Sequence, residues 1–229
     1  MRRHSQSAGR RHRNESSGID LYDRYVLPRL IDLAMRHRTV TAERARLIPR
    51  AAGIVLELGI GSGLNLPFYG SAVERLYGVD PSPELWALAS RRIAHAAVPV
   101  EYLQASAEHI PIPDASVDTV VTTWTLCSIA QPHAALREVA RVLRSEGQLL
   151  FVEHGRAPDP RVVAWQDRLT PVWRRLAGGC HLNRRIDDVI ETAGFELTER
   201  EHGYGTGPRP MAYLYRGVAR PARRARPPA

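Results

Sequence analysis

The sequence predicts a doubly wound α/β fold: one domain on a mostly parallel seven-stranded sheet, with the last strand antiparallel. Three observations predict it. Strand-like and helix-like segments alternate from residue 54 to residue 154. The apolar runs IVLEL, TVV and LLFV are nearly continuous rather than alternating, as in strands covered on both faces. A glycine turn, GIGSG, follows the first of those runs, where a strand feeds a helix in such folds.

The elements follow in order. After Pro28, Leu30, Ile31 and Ala34 share a helical face with Leu27. Strand 54–58 runs into the glycine turn, and strand 75–80 ends in an acid. The next segment, 82–96, is a helix with Ser82 at the N-cap and Pro83 at its first position. Strands 100–104 and 117–124 come next. Leu136, Val139, Ala140 and Leu143 then mark an amphipathic helix, and 147–154 is the fifth strand. Residues 160–179 form a helix with Val162, Trp165, Gln166, Leu169, Trp173 and Leu176 on one face, which Pro171 is expected to kink or break. A helix over 183–194 closes at Gly194. Strands 195–201 and 210–219 end the chain as an antiparallel pair.

The domain is expected over 51–218, with a helical cap over 19–50 and basic, disordered tails at 1–18 and 219–229. The net charge of +8 sits in those tails: residues 1–13 hold five arginines and 220–229 four, with no acid in either, so the body is close to neutral. All 32 basic residues are arginine. Neither tail interleaves aromatics, so no nucleic-acid partner is expected. No apolar run reaches the roughly 18 residues of a membrane span, and the N-terminus has no apolar core of a secretory signal. Two cysteines, Cys127 and Cys180, suit a reducing compartment, so a cytoplasmic location is expected. Oligomeric state is not readable.

The stretch VLELGIGSGLNLPFYG, from Val55 to Gly70, carries the chemistry. Gly59, Gly61 and Gly63 let backbone amides approach a ligand. The spacing is not that of a dinucleotide fingerprint, because Leu64 occupies the third glycine's slot. A phosphate-binding P-loop needs a lysine, and there is none. Glu57, two residues before the turn, repels phosphate and suits a cationic group. Asp80, at the end of the second strand, can accept hydrogen bonds from both hydroxyls of a ribose. A ribonucleoside with a cationic tail and no phosphate fits, and S-adenosylmethionine is such a molecule.

With these residues the chain resembles the class I S-adenosylmethionine-dependent methyltransferases over roughly 45–200, which implies a Rossmann-like fold and that cofactor. The resemblance implies Asp80 on the ribose, Pro81 and Ser82 beside the adenine, Ala107 and Glu108 at the adenine edge, Asn65 in the cofactor seat, and Thr123 and Trp124 on the methionine side. Its usual Arg-Pro-Gly-Gly turn is replaced by Arg144, Ser145, Glu146 and Gly147. LCSI (126–129), EHG (153–155) and GCHLNR (179–184) are similar to the thiol S-methyltransferase group of animals and its bacterial relatives. Those animal proteins carry an apolar N-terminal anchor where this chain has arginines.

The resemblance implies methyl transfer to a small, hydrophobic acceptor, a thiol or sulfide being the best match. The alternative is a lipid, phospholipid or quinone methylated at N, O or C at a membrane surface. A thiol, already partly ionised near neutral pH, asks little of a base, whereas a hydroxyl or carbon acid asks for one. His154 and His181 are the candidate catalytic residues. Tyr69, Cys127, Trp165 and Arg184 are the candidate acceptor contacts. Arg161, Arg168, Arg174 and Arg175 give the Trp165 helix a basic side that permits peripheral membrane contact. The cysteines and histidines invite a metal reading, but their spacing matches no zinc knot, so no metal is expected.

Overall fold

The computed structural model describes residues 22–222. The tail expected over 1–18, and residues 223–229 of the tail expected over 219–229, lie outside them. A π-helical turn, Tyr22–Val26, leads into α1 (Leu27–Ala34) and α2 (Arg38–Leu47). Then follow β1 (Gly53–Leu58), β2 (Val73–Val79), α3 (Pro83–Ile93), β3 (Val100–Leu103) and β4 (Val117–Thr123). The second half runs α4 (Pro132–Val142), β5 (Leu143–His154), α5 (Pro160–Leu176), α6 (Ile186–Thr192), β6 (Phe195–Tyr204), α7 (Arg209–Ala212) and β7 (Tyr213–Pro221).

The seven strands form one sheet in the order β3-β2-β1-β4-β5-β7-β6. Only β7 runs against the others, pairing antiparallel with β5 and β6. The chain order reverses between β1 and β4, so the crevice beyond their carboxyl ends is the expected ligand seat. Two apolar layers hold the sheet. Leu56, Leu58, Val120, Leu136, Phe151 and Ile190 fill one face. Val55, Leu76, Val121, Leu150 and Leu66 fill the other. Each such side chain contributes roughly 1.5–3 kcal/mol by leaving water.

Edge strand β6 is exposed and carries Glu196, Glu199, Arg200 and Glu201, charges that discourage pairing with another chain. The same charges fasten α2 and the short turn Ile48–Arg50 that follows it. Arg46 and Arg50 each reach a β6 carboxylate in a two-point contact, on Glu201 and Glu199. Arg216 of β7 holds Glu43 at 2.7 and 2.6 Å. Surface pairs add only about 0–1 kcal/mol each, but together they fix the helix that carries Arg44.

Two details depart from the sequence expectation. Helix α5 is continuous through Pro171. Pro171 and Asp167, whose carbonyl loses its donor, are both exposed, so water can replace the missing bond. Strand β7 runs on to Pro221 against Phe195, so the ordered domain extends past 218. Helix α2 lies inside the helical cap expected over 19–50, although the apolar pattern marked only α1 there. Among the described residues no helix is long and apolar enough to cross a membrane.

Candidate active site

The glycine turn leaves β1 at the switch point and is laced to β2. The amides of Gly59 and Ile60 both donate to the Val79 carbonyl, at 2.8 and 3.2 Å. Gly61 N–H donates to Asp80 Oδ2 at 2.9 Å, and Ser82 N–H donates to Asp80 Oδ1 at 2.9 Å. Asp80 is therefore buried, and burial raises its carboxyl despite those two amides. At Gly61, with φ +54°, an added Cβ would meet only the Gly59 carbonyl at 3.9 Å. The space above that backbone is open, beside an acid suited to ribose hydroxyls. The residues present thus fit a nucleoside without phosphate.

Beneath the turn lies a polar network. Glu57 is fully buried, and its two oxygens accept from Asn65 Nδ2 and from the Tyr69 hydroxyl, each at 2.8 Å. Asn65 also donates to Thr123 Oγ1 at 3.0 Å and accepts from Arg44 Nε at 2.8 Å. Arg44 donates onward to the Met35 carbonyl at 2.7 Å and lies 5.2 Å over the Trp124 ring. Burial pushes the Glu57 carboxyl up to about 8, against the pull of Tyr69, Asn65 and Arg44. Burial likewise lowers Arg44 to about 10, with Glu57 acting in the opposite sense. Helix α1 is tied in by Asp32, which accepts from Ser62 Oγ at 2.6 Å and pairs with Arg92 at 3.1 Å.

Of the other cofactor candidates, Ser82 caps α3 through the Leu85 amide at 3.2 Å, and Pro81 is exposed beside it. Glu108 is hydrogen-bonded to Ser106 and accepts from the Gln131 amide, with Ala107 half-buried next to it. Thr123 is buried at the end of β4, and Trp124 follows with φ +52°. A bulky residue in that region is strained, and such strain gathers at functional sites.

On the far side of β4, Glu153 organises the next loop. This fully buried carboxylate accepts from Thr122 Oγ1 and from the amides of Thr125, Leu126 and Cys127, at 2.9–3.2 Å. The loop after α5 docks on it. The His181 amide donates to the Cys127 carbonyl at 2.8 Å. Arg184 donates to the carbonyls of Leu126 and Ile129 and lies 3.2 Å from His181 Nδ1. Burial, then Arg184 and Arg174, hold the His181 imidazole below its usual range, so it is neutral at pH 7. Cys127 and Cys180 place their sulfurs 3.6 Å apart. His154 stands edge-on to Trp124 at 6.3 Å.

Three of the expected acceptor contacts take other positions. Tyr69 is buried, with its hydroxyl on Glu57, and props that acid rather than facing an acceptor. Trp165 is 55% exposed and stands under Arg168 on the outside of α5. Arg184 directs its guanidinium at backbone carbonyls, pinning a loop. Arg44 and Glu153 escaped the sequence reading. Arg44 lies in a mostly polar stretch, and Glu153 within an apolar strand; an acid inside LLFVEH was the available signal.

A family model described as a methyltransferase domain matches residues 56–151. The chain is 36% identical over 151 residues to the thiol S-methyltransferase TMT1B of Rattus norvegicus, covering 64% of this chain and 62% of that protein. It is 35% identical over 152 residues to TMT1A of Homo sapiens, covering 65% and 62%. It therefore spans about 62% of the length of these relatives. It is also 36% identical over 167 residues to a phosphatidylethanolamine N-methyltransferase of Cereibacter sphaeroides, covering 72% of this chain and 78% of that one. A putative methyltransferase structure from Bacillus halodurans superposes with TM-score 0.63 at 19% identity, covering 79% and 98%, which shows a shared fold.

Proposed function

The chain belongs to the S-adenosylmethionine-dependent methyltransferases, and from that premise we propose that it methylates a small hydrophobic thiol or sulfide. Bound over Gly61, S-adenosylmethionine would supply a methyl group on a sulfonium and leave as S-adenosylhomocysteine. Asp80 would hold the ribose, and Trp124 and Thr123 would flank the methionine end. The Glu57, Asn65 and Arg44 network would keep that end of the seat rigid, so that positioning rather than new bonding lowers the barrier.

The observation that carries the thiol reading is that the buried carboxylate beside the acceptor loop is already engaged, which leaves only imidazole as a base. Among the described residues there, the Glu153 carboxylate is committed to four donors. What remains is imidazole: His154, and a His181 held neutral. A neutral imidazole can take a thiol proton as the sulfur closes on the methyl carbon, and a thiol needs no stronger base. The similarity to two thiol S-methyltransferases points the same way.

A second reading, methylation of a lipid at a membrane surface, is favoured by one exposed face. Leu33 and Leu30 of α1, and Val172 and Leu176 of α5, are 49–67% exposed. The Tyr22 hydroxyl, bonded to the Leu176 carbonyl at 3.0 Å, joins these two parts. Arg174 and Arg175 lie alongside, as in helices that rest on anionic lipid.

One experiment separates the two. The protein is given labelled S-adenosylmethionine with a panel of alkyl and aryl thiols, or with phosphatidylethanolamine in anionic vesicles, and release of S-adenosylhomocysteine is followed. Turnover on thiols alone supports the first reading. Turnover on vesicles with none on thiols overturns it.

A further inference from the structure

The two cysteines and His154 lie far apart in sequence, yet the fold brings them to one point. The Cys127 sulfur, the Cys180 sulfur and a His154 ring nitrogen all lie within 4.8 Å of one another. From this we infer that Cys127, Cys180 and His154 form a three-ligand site for a soft divalent cation, zinc above others, with a fourth position open.

The distances favour an ion over a disulfide. The sulfurs are 3.6 Å apart. A tetrahedral ion with metal–sulfur bonds of about 2.3 Å sets its two sulfurs about 3.8 Å apart. A disulfide needs about 2.05 Å, so the sulfurs would have to close by roughly 1.5 Å. The loops that carry them resist such a movement. Glu153 gathers the amides of Thr125, Leu126 and Cys127. The Cys127 carbonyl takes the His181 amide at 2.8 Å. Arg184 binds the carbonyls of Leu126 and Ile129 across the junction. An ion fits with the thiols near their present places, and these contacts form the outer layer that orients its ligands.

The donor chemistry agrees. Two thiolates and an imidazole select zinc, copper or cadmium over magnesium or calcium. Both cysteines are buried, at 1% and 7% exposure, whereas His154 is half-buried and marks the side by which an ion and a fourth ligand enter. Binding a divalent ion releases the two thiol protons, so the buried net charge is unchanged. With the ion present, the loop after β4 and the loop after α5 would be clasped by metal–ligand bonds, and His154 would serve as a ligand, leaving His181 as the imidazole available to the acceptor.

The test uses the full-length, untagged protein, reduced, freed of metal with a chelator, and titrated with cobalt(II). One equivalent should bind, with a sulfur-to-cobalt charge-transfer band in the near ultraviolet and the intense visible bands of a tetrahedral site. Zinc should displace the cobalt and raise the melting temperature. Cys127→Ser/Cys180→Ser should lose the ultraviolet band. His154→Ala, at a half-buried position less critical to folding, should keep that band and lose affinity at least about tenfold. The exposed His133→Ala should change nothing. A weak octahedral cobalt spectrum in wild type, or an unchanged affinity in His154→Ala, would overturn the site.

Discussion

Arg44 of α2 donates from Nε to Asn65 Oδ1 of the glycine turn at 2.8 Å, so the helix ahead of the sheet is built into the seat beyond it. The same guanidinium lies over Trp124 and reaches the Met35 carbonyl. These contacts diverge in direction, which a planar fork can serve and an ammonium cannot. Arg44→Gln should therefore lower stability by about 1–3 kcal/mol, the cost of buried partners left unpaired. Arg44→Lys should not restore it. Thermal melts of the two variants check this; full rescue by lysine would mean that charge alone matters.

Tyr69 makes a sharper distinction. Its hydroxyl serves Glu57 at 2.8 Å. Tyr69→Phe should cost about 1–2 kcal/mol of stability and weaken cofactor binding, while leaving the KM for the acceptor unchanged. Steady-state kinetics with each substrate varied in turn reads this. A changed acceptor KM with unchanged cofactor affinity would return Tyr69 to the acceptor side.

Glu57 gives the pH dependence. Its folded carboxyl is raised from 4.5 to about 8, chiefly by burial. The folded protein thus holds a proton that the unfolded chain has already lost. Stability from this group is full below about pH 4.5 and falls as pH rises toward 8. The slope is at most about 1.4 kcal/mol per pH unit. A cationic ligand opposes that proton, so cofactor affinity should rise across the same window. Glu57→Gln should flatten both profiles in chemical denaturation and binding measured from pH 5 to 9.

Gly59 tests the turn. With φ +72°, a Cβ there would lie 2.4 Å from Thr125 Oγ1. Gly59→Ala should destabilise by more than about 2 kcal/mol through clash and backbone strain. Adding Thr125→Ala should recover part of the loss, because the hydroxyl and methyl make the closest contacts. Strict additivity in that double-mutant cycle would deny the contact.

The sheet and the glycine turn beside Asp80 were legible because they rest on local signals. Continuous apolar strands, a glycine turn and Asp80 after the second strand each announce themselves within a few residues. What stayed hidden is made by distant pairs. Arg44 reads as one more surface arginine until α2 is laid over the sheet. Glu153 reads as a strand-end acid until the amides of 125–127 curl around it. Trp165 shares a helical face with buried Val162 and Gln166, yet it sits at the margin of that face and points to water. The Cys127, Cys180 and His154 cluster needs two loops and a strand end to meet, which no spacing rule encodes.

Asp80 is the residue on which the cofactor assignment turns, and calorimetric titration of S-adenosylmethionine tests it most directly. Wild type should bind one equivalent. Asp80→Ala should bind at least about tenfold more weakly, since it would lose the proposed acceptor of the ribose hydroxyls together with the staple between Gly61 and Ser82. Equal affinity in the two proteins, with the variant folded by circular dichroism, would contradict the placement of the cofactor over Gly61.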